Sequence, residues 1–141
     1  MLFRSFTDLA PLLESGRKAI RRRALVFVIS DFISVPGWER QLSLLNRRHE
    51  VFAVRLSDPR ETALPDIGPL IMEDAETGEQ LYVDTGDRGF RQRFTEAALR
   101  RERAVAEAFK RSGVEAMSLS TDEDLVRAIV RMATLRRRRR K

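Results

Sequence analysis

The chain has 141 residues, enough for one domain and one hydrophobic core. With 43% hydrophobic and 34% charged residues it is expected to fold, and its lack of cysteine removes disulfides, thiolate zinc sites and cysteine nucleophiles together. Lys plus Arg number 27 against 21 Asp plus Glu; the run RRRRRK at 136–141 holds the whole excess of +6, which makes the body neutral and the end a basic tail.

Thr7-Asp8 opens the first helix as an N-cap, with Pro11 tolerated in the first turn. Leu9, Leu12, Leu13 and Ile20 form its apolar stripe, and Arg21, Arg22 and Arg23 close it. ALVFVIS at 24–30 is continuous, β-branched and aromatic, the pattern of a strand buried on both faces. After the loop DFISVPG, a helix is expected from Trp38 to Arg48, with Trp38, Leu42 and Leu45 on one side. VFAVRL at 51–56 is the second strand. LIMED and QLYVD, around a Gly-containing turn, read as a hairpin. Asp87 caps a long helix over 88–112, whose inward residues are Phe90, Phe94, Ala97, Val105, Ala108 and Phe109, with Gly113 just past its end. VEAMSLS at 114–120 is the third strand, and a helix striped by Leu125, Ile129, Val130 and Ala133 ends the chain. The alternation predicts an α/β fold: a mostly parallel sheet, helices on both faces, three strands side by side in chain order, and a small hairpin.

Ligands of open α/β sheets bind at the carboxyl ends of the strands. Those ends carry Ser30-Asp31, Ser57-Asp58, and Ser118, Ser120 and Asp122. Hydroxyls and carboxylates without His or Cys suit a hard cation such as Mg²⁺. The competing reading is that Ser and Asp are ordinary cap and turn residues after a strand; it is the stronger one for Asp58 and Asp122, whereas Asp31 is the candidate for function. GxxxxGK[ST], GxGxxG and GxSxG are all absent, and the single histidine, His49, reads as a helix-end cation rather than a base. No apolar run reaches the roughly 18 residues of a membrane span, and the N-terminus lacks a signal peptide's basic start and apolar stretch, so a cytoplasmic location is expected.

From LVFVISDF onward the chain resembles the C-terminal part of a bacterial domain-of-unknown-function family, number fifty-eight. The matching segments include Thr7-Asp8-Leu9, GWERQLSLLNRRHEVFAVRLSDPRE, LPDIGPL, EDAETGEQLYVDT and STDEDLVRAIVR, and DPRE at 58–61 is the most specific. The resemblance implies a von Willebrand factor A-like domain that works beside a MoxR-type AAA ATPase. Such domains hold a divalent cation on three loops. Thr7 matches the second and Asp31 the third, whereas the DxSxS of the first is missing. The resemblance thus implies a truncated A-type half-domain over 1–135, keeping three of six strands, and a residual, incomplete metal site at Asp31 and Thr7. No tightly bound cofactor is expected in this chain, with Mg²⁺ reserved for an intact domain.

Three functions follow as expectations. The first is a non-catalytic protein-interaction module, engaging a partner such as a MoxR-type ATPase in protein assembly or maturation, with Ser30, Asp58, Arg60 and Glu61 as interaction residues. The second is nucleic-acid binding through the tail Arg136 to Lys141 and the basic cluster 17–23, or binding to an anionic surface through the tail. The third is a Mg²⁺-dependent phosphohydrolase using Asp31 or Asp58. Strand 24–30, long, apolar and without a blunting charge, is expected to be a sheet edge that pairs in a homo-oligomer.

Overall fold

The computed structural model describes residues 8–73 and 78–139. The element order is α1 (Leu9–Ala19), β1 (Leu25–Ser30), α2 (Trp38–Asn46), β2 (Glu50–Ser57), a single 3-10 turn (Pro59–Glu61), β3 (Pro69–Glu73), β4 (Gln80–Asp84), α3 (Arg88–Ser112), β5 (Glu115–Ser120) and α4 (Leu125–Arg139). The fold is mixed α/β. β1, β2 and β5 form a parallel sheet in that order, and β3 and β4 form a separate antiparallel ribbon. The chain-order sheet and the hairpin both match expectation; Asp74 and the first part of the hairpin turn lie outside the described residues.

One face of the sheet is covered by α1, α2 and α3. Val26, Val28, Val51 and Ala53 project from that face into a core with Leu9, Leu13, Phe32, Trp38, Leu42, Leu45, Val105 and Phe109. Phe32, Trp38 and Phe109 stack around one another with ring centroids 4.7–5.1 Å apart. The other face carries Leu25, Phe27, Ile29, Phe52, Val54 and Leu56, as strand alternation requires. Phe52 and Val54 are buried there, where α4 packs against β5. Toward β1 the cover ends: Leu25, Phe27 and Ile29 are 39%, 48% and 61% exposed. β1 is therefore half-buried on one face, through Val26 and Val28, and exposed on the other, not buried on both. Its unbroken apolar sequence misled the pattern reading, because a continuous run does not say how much of it a neighbouring layer covers.

Other expectations also need correction. α1 ends at Ala19, with Arg17 and Lys18 in its last turn, and Ile20 is already extended as the C-cap; Arg21, Arg22 and Arg23 follow the helix instead of closing it. α2 stops at Asn46, two residues before Arg48. His49 is not a solvent-facing cation but 4% exposed, in the turn that leads into β2. α3 turns Ala98 into the core, while Ala97 and Phe90 are half-buried. The stripe assigned to α4 is outward: Leu125, Ile129, Val130 and Ala133 are exposed, and Ala128 is the buried contact. α4 also continues through Arg139, so its backbone takes in most of the basic run.

Candidate functional site

Three loops meet at the carboxyl edge of the sheet. The first follows β1 and is held almost entirely by its own side chains. Phe32 N–H donates to Ser30 Oγ at 3.0 Å, and Ile33 N–H donates to Asp31 Oδ1 at 2.9 Å. Phe32 has φ 57°, a left-handed backbone rare outside glycine. The ring is 1% exposed, so burial against Trp38 and Phe109 holds the backbone in that conformation. Asp31 is thereby left exposed at the rim.

The start of α1 is tied to the same loop. Leu9 N–H donates to Ser34 Oγ at 3.1 Å, and Asp8 caps the helix by accepting from Ala10 N–H at 3.0 Å. Thr7, the other candidate metal ligand, lies outside the described residues. Among the described residues no three acidic or histidine side chains gather in a way that could hold a metal ion. Asp31 and Ser30 supply hard oxygen donors, but both are spent on turn hydrogen bonds. They do not fit a Mg²⁺ site, which needs near-octahedral oxygen coordination, without further ligands.

The second loop carries DPRE. Asp58 accepts from Arg60 N–H at 2.9 Å, and Thr62 Oγ1 donates to Pro59 O at 2.8 Å. Asp58 thus acts as the cap of the 3-10 turn, and the turn presents Arg60 and Glu61 to solvent. In the third loop Ser120 Oγ donates to Asp122, while Glu123 pairs with Arg131 of α4. The carboxyl groups that sequence placed at this edge are therefore present there, each in a local turn, and do not converge on one point.

What joins the first two loops is a pair that the sequence reading did not single out. Arg55, near the end of β2, makes a two-pronged ion pair with Glu102 of α3, one prong measuring 2.6 Å, and its Nε donates to Asp31 O at 3.4 Å. The Arg55 side chain is 13% exposed. The hydrogen bond from Arg55 holds the Glu102 carboxyl below its ordinary value, against an opposing effect of burial, with the charges of Arg55 and Arg101 adding to it. Arg55 and Glu102, together with Phe32, Ser34, Glu61 and Thr62, line a cavity of about 160 Å³ between the loops and α3. The available signal was Arg55 itself, a lone charge inside the apolar run VFAVRL; Glu102, in the arginine-rich stretch LRRERAV, offered none.

Comparison with known proteins fits this segment of chain. The model of the family "Protein of unknown function DUF58" matches residues 4–105. The chain belongs to the DUF58 family. The uncharacterized protein MAV169 of Mycobacterium avium is 39% identical over 131 residues, covering 93% of this chain and 77% of that protein. The uncharacterized proteins Rv1480 of Mycobacterium tuberculosis and Mb1516 of Mycobacterium bovis are each 37% identical over 133 residues, covering 93% of this chain. The chain spans 41% of the length of those two relatives. No solved structure matches it. The match to DUF58 takes in the loop after β1, the DPRE turn and Glu102, so the whole carboxyl-edge cavity falls within the family region.

Proposed function

We propose that this DUF58 chain is a non-catalytic protein-interaction module that presents its carboxyl edge to a partner. The observation that carries the reading is the DPRE turn. Asp58 fixes the turn, and Arg60 and Glu61 stand exposed beside the cavity lined by Arg55 and Glu102. Exposed opposite charges on a hydrogen-bonded turn suit a partner that reads charge and shape. The partner suggested by the resemblance to von Willebrand factor A-like domains is a MoxR-type AAA ATPase acting in protein assembly or maturation. We further propose that the chain self-associates through β1, whose outer edge has no strand beside it in the sheet.

The test is calorimetric titration of the purified chain with a MoxR-type AAA ATPase from the same organism. Micromolar binding that falls at least tenfold in Arg60→Glu and Glu61→Lys supports the reading. Binding indifferent to both changes, or none, overturns it.

A further inference from the structure

The neutral body is not evenly neutral. In this parallel sheet every helix that precedes a strand delivers its C-terminus to the sheet's amino edge, and each delivery ends in cations. Arg21, Arg22 and Arg23 lead into β1, Arg47 and Arg48 into β2, and Lys110 and Arg111 close α3 before β5. Lys110 and Arg111 have carboxylate partners in Glu107 and Glu39. The five arginines at 21–23 and 47–48 have none among the described residues, and all five are exposed. One hydrogen bond makes the two groups a single cluster. Glu50 N–H donates to Ala24 O at 2.9 Å, which sets the approach to β2 beside the approach to β1.

The amino edge also holds Glu50 and Glu115, at the starts of β2 and β5, but the five arginines outnumber them; the carboxyl edge mixes Asp31, Asp58, Glu61 and Asp122 with Arg55 and Arg60.

We propose that the amino edge, centred on Arg21, Arg22, Arg23, Arg47 and Arg48, binds the surface of an anionic phospholipid bilayer. The site is a diffuse array of guanidinium groups, suited to many phosphates at once. Leu25, 39% exposed, follows the first three arginines after Ala24 and adds a small apolar surface to the array. Nucleic acid fits less well. Among the described residues no aromatic side chain stands among these arginines to stack a base: Trp38 is 3% exposed, and Tyr82 lies on the hairpin.

The experiment is co-sedimentation of the full chain with vesicles of phosphatidylcholine alone, or with about a third phosphatidylglycerol. Each basic residue near such a surface is worth roughly fivefold in affinity. We expect binding to the anionic vesicles alone, lost in high salt, and weakened at least a hundredfold when all five arginines become glutamate with 136–141 intact. These side chains are exposed, so an unchanged circular dichroism spectrum and melting profile are the control for folding; Arg47→Glu/Arg48→Glu alone, weakening binding at least tenfold, guards against collapse of the fivefold variant. Vesicle binding unchanged in these variants and abolished by removing 136–141 would place the site on the tail and overturn the proposal. So would tighter binding to duplex DNA than to the vesicles at the same salt. Neither result bears on the partner reading, whose residues stand at the opposite edge.

Discussion

Arg55 of β2 grips Glu102 of α3 with both guanidinium arms and holds the Asp31 carbonyl with its Nε. One side chain thus spans strand, helix and loop at the point where the candidate site opens. Its own side chain is 13% exposed, between buried Val54 and exposed Leu56, so the charge is tolerated because all three directions are satisfied.

This pair gives the first prediction. Glu102 is 39% exposed, so water screens the interaction, and Arg55→Ala should cost only about 1–2 kcal/mol at neutral pH. Because the folded carboxyl is held below its ordinary value of 4.5, the unfolded state binds more protons in acid. The stabilisation is complete above that ordinary value and is lost as the pH falls through the lowered one. Urea unfolding of both proteins should show the gap between wild type and Arg55→Ala narrowing through that window; a gap constant down to roughly pH 2 would rule out Glu102 as the source.

Phe32 supplies the second. Its ring is 1% exposed and its φ is 57°. Phe32→Ala removes the ring but keeps a Cβ in the strained region, and should cost about 3–5 kcal/mol. Phe32→Gly loses the same contacts and relieves the backbone, so it should be more stable than the alanine variant by about 1 kcal/mol. Trp38 fluorescence during denaturation reports both, since its ring lies 5.1 Å from that of Phe32. An alanine variant more stable than the glycine one would mean that the left-handed backbone carries no strain.

Much of this was legible beforehand, for physical reasons. Trp38, Leu42 and Leu45 recur at helical spacing, and all three are buried in α2. Gly113 adopts φ 67° directly after α3, the conformation that favours glycine there. The strand ends carry the Ser and Asp residues where expected. What failed was the reading of cover. Leu125, Ile129 and Val130 have the spacing of a buried stripe but face solvent, because periodicity identifies a face without saying what lies against it. The left-handed Phe32 and the pairing of Arg55 with Glu102 depend on contacts between distant residues, which no local pattern encodes.

His49 carries the third prediction. It is 4% exposed, and neither ring nitrogen has a hydrogen-bond partner among the described residues. A buried polar group without a partner is a net cost to folding. His49→Leu, close in volume, should leave the melting temperature unchanged or raise it. A loss of more than about 2 kcal/mol would show that the imidazole makes a stabilising contact.

Metal addition tests the reading of Asp31. Its Oδ1 is committed to Ile33 N–H, and among the described residues no three acidic or histidine side chains gather to hold a metal ion. Titration of the chain with Mg²⁺ or Mn²⁺ should therefore give no saturable heat at micromolar metal. Micromolar binding abolished by Asp31→Ala would show that the loop after β1, with Thr7 or another ligand, suffices as a site.

The last prediction concerns the open side of β1. Among the described residues the strand pairs only with β2, so its other row of backbone groups is unpaired within that sheet, and nothing charged or kinked blunts the edge of LVFVIS. Self-pairing of two such strands would satisfy those groups and shelter part of Leu25, Phe27 and Ile29. The alternation of faces supplies a clean test. Ile29 is 61% exposed, so Ile29→Lys adds a charge beside the edge without entering the core. Val28 packs against the core cluster, so Val28→Lys should destroy the fold instead. Sedimentation at tens of micromolar should show the wild type as a dimer or larger, and Ile29→Lys as a folded monomer with a native circular dichroism spectrum. A wild type that sediments as a monomer would overturn the pairing. So would an Ile29→Lys variant that remains fully associated, since two lysines brought together at a two-fold axis would repel across the paired edge.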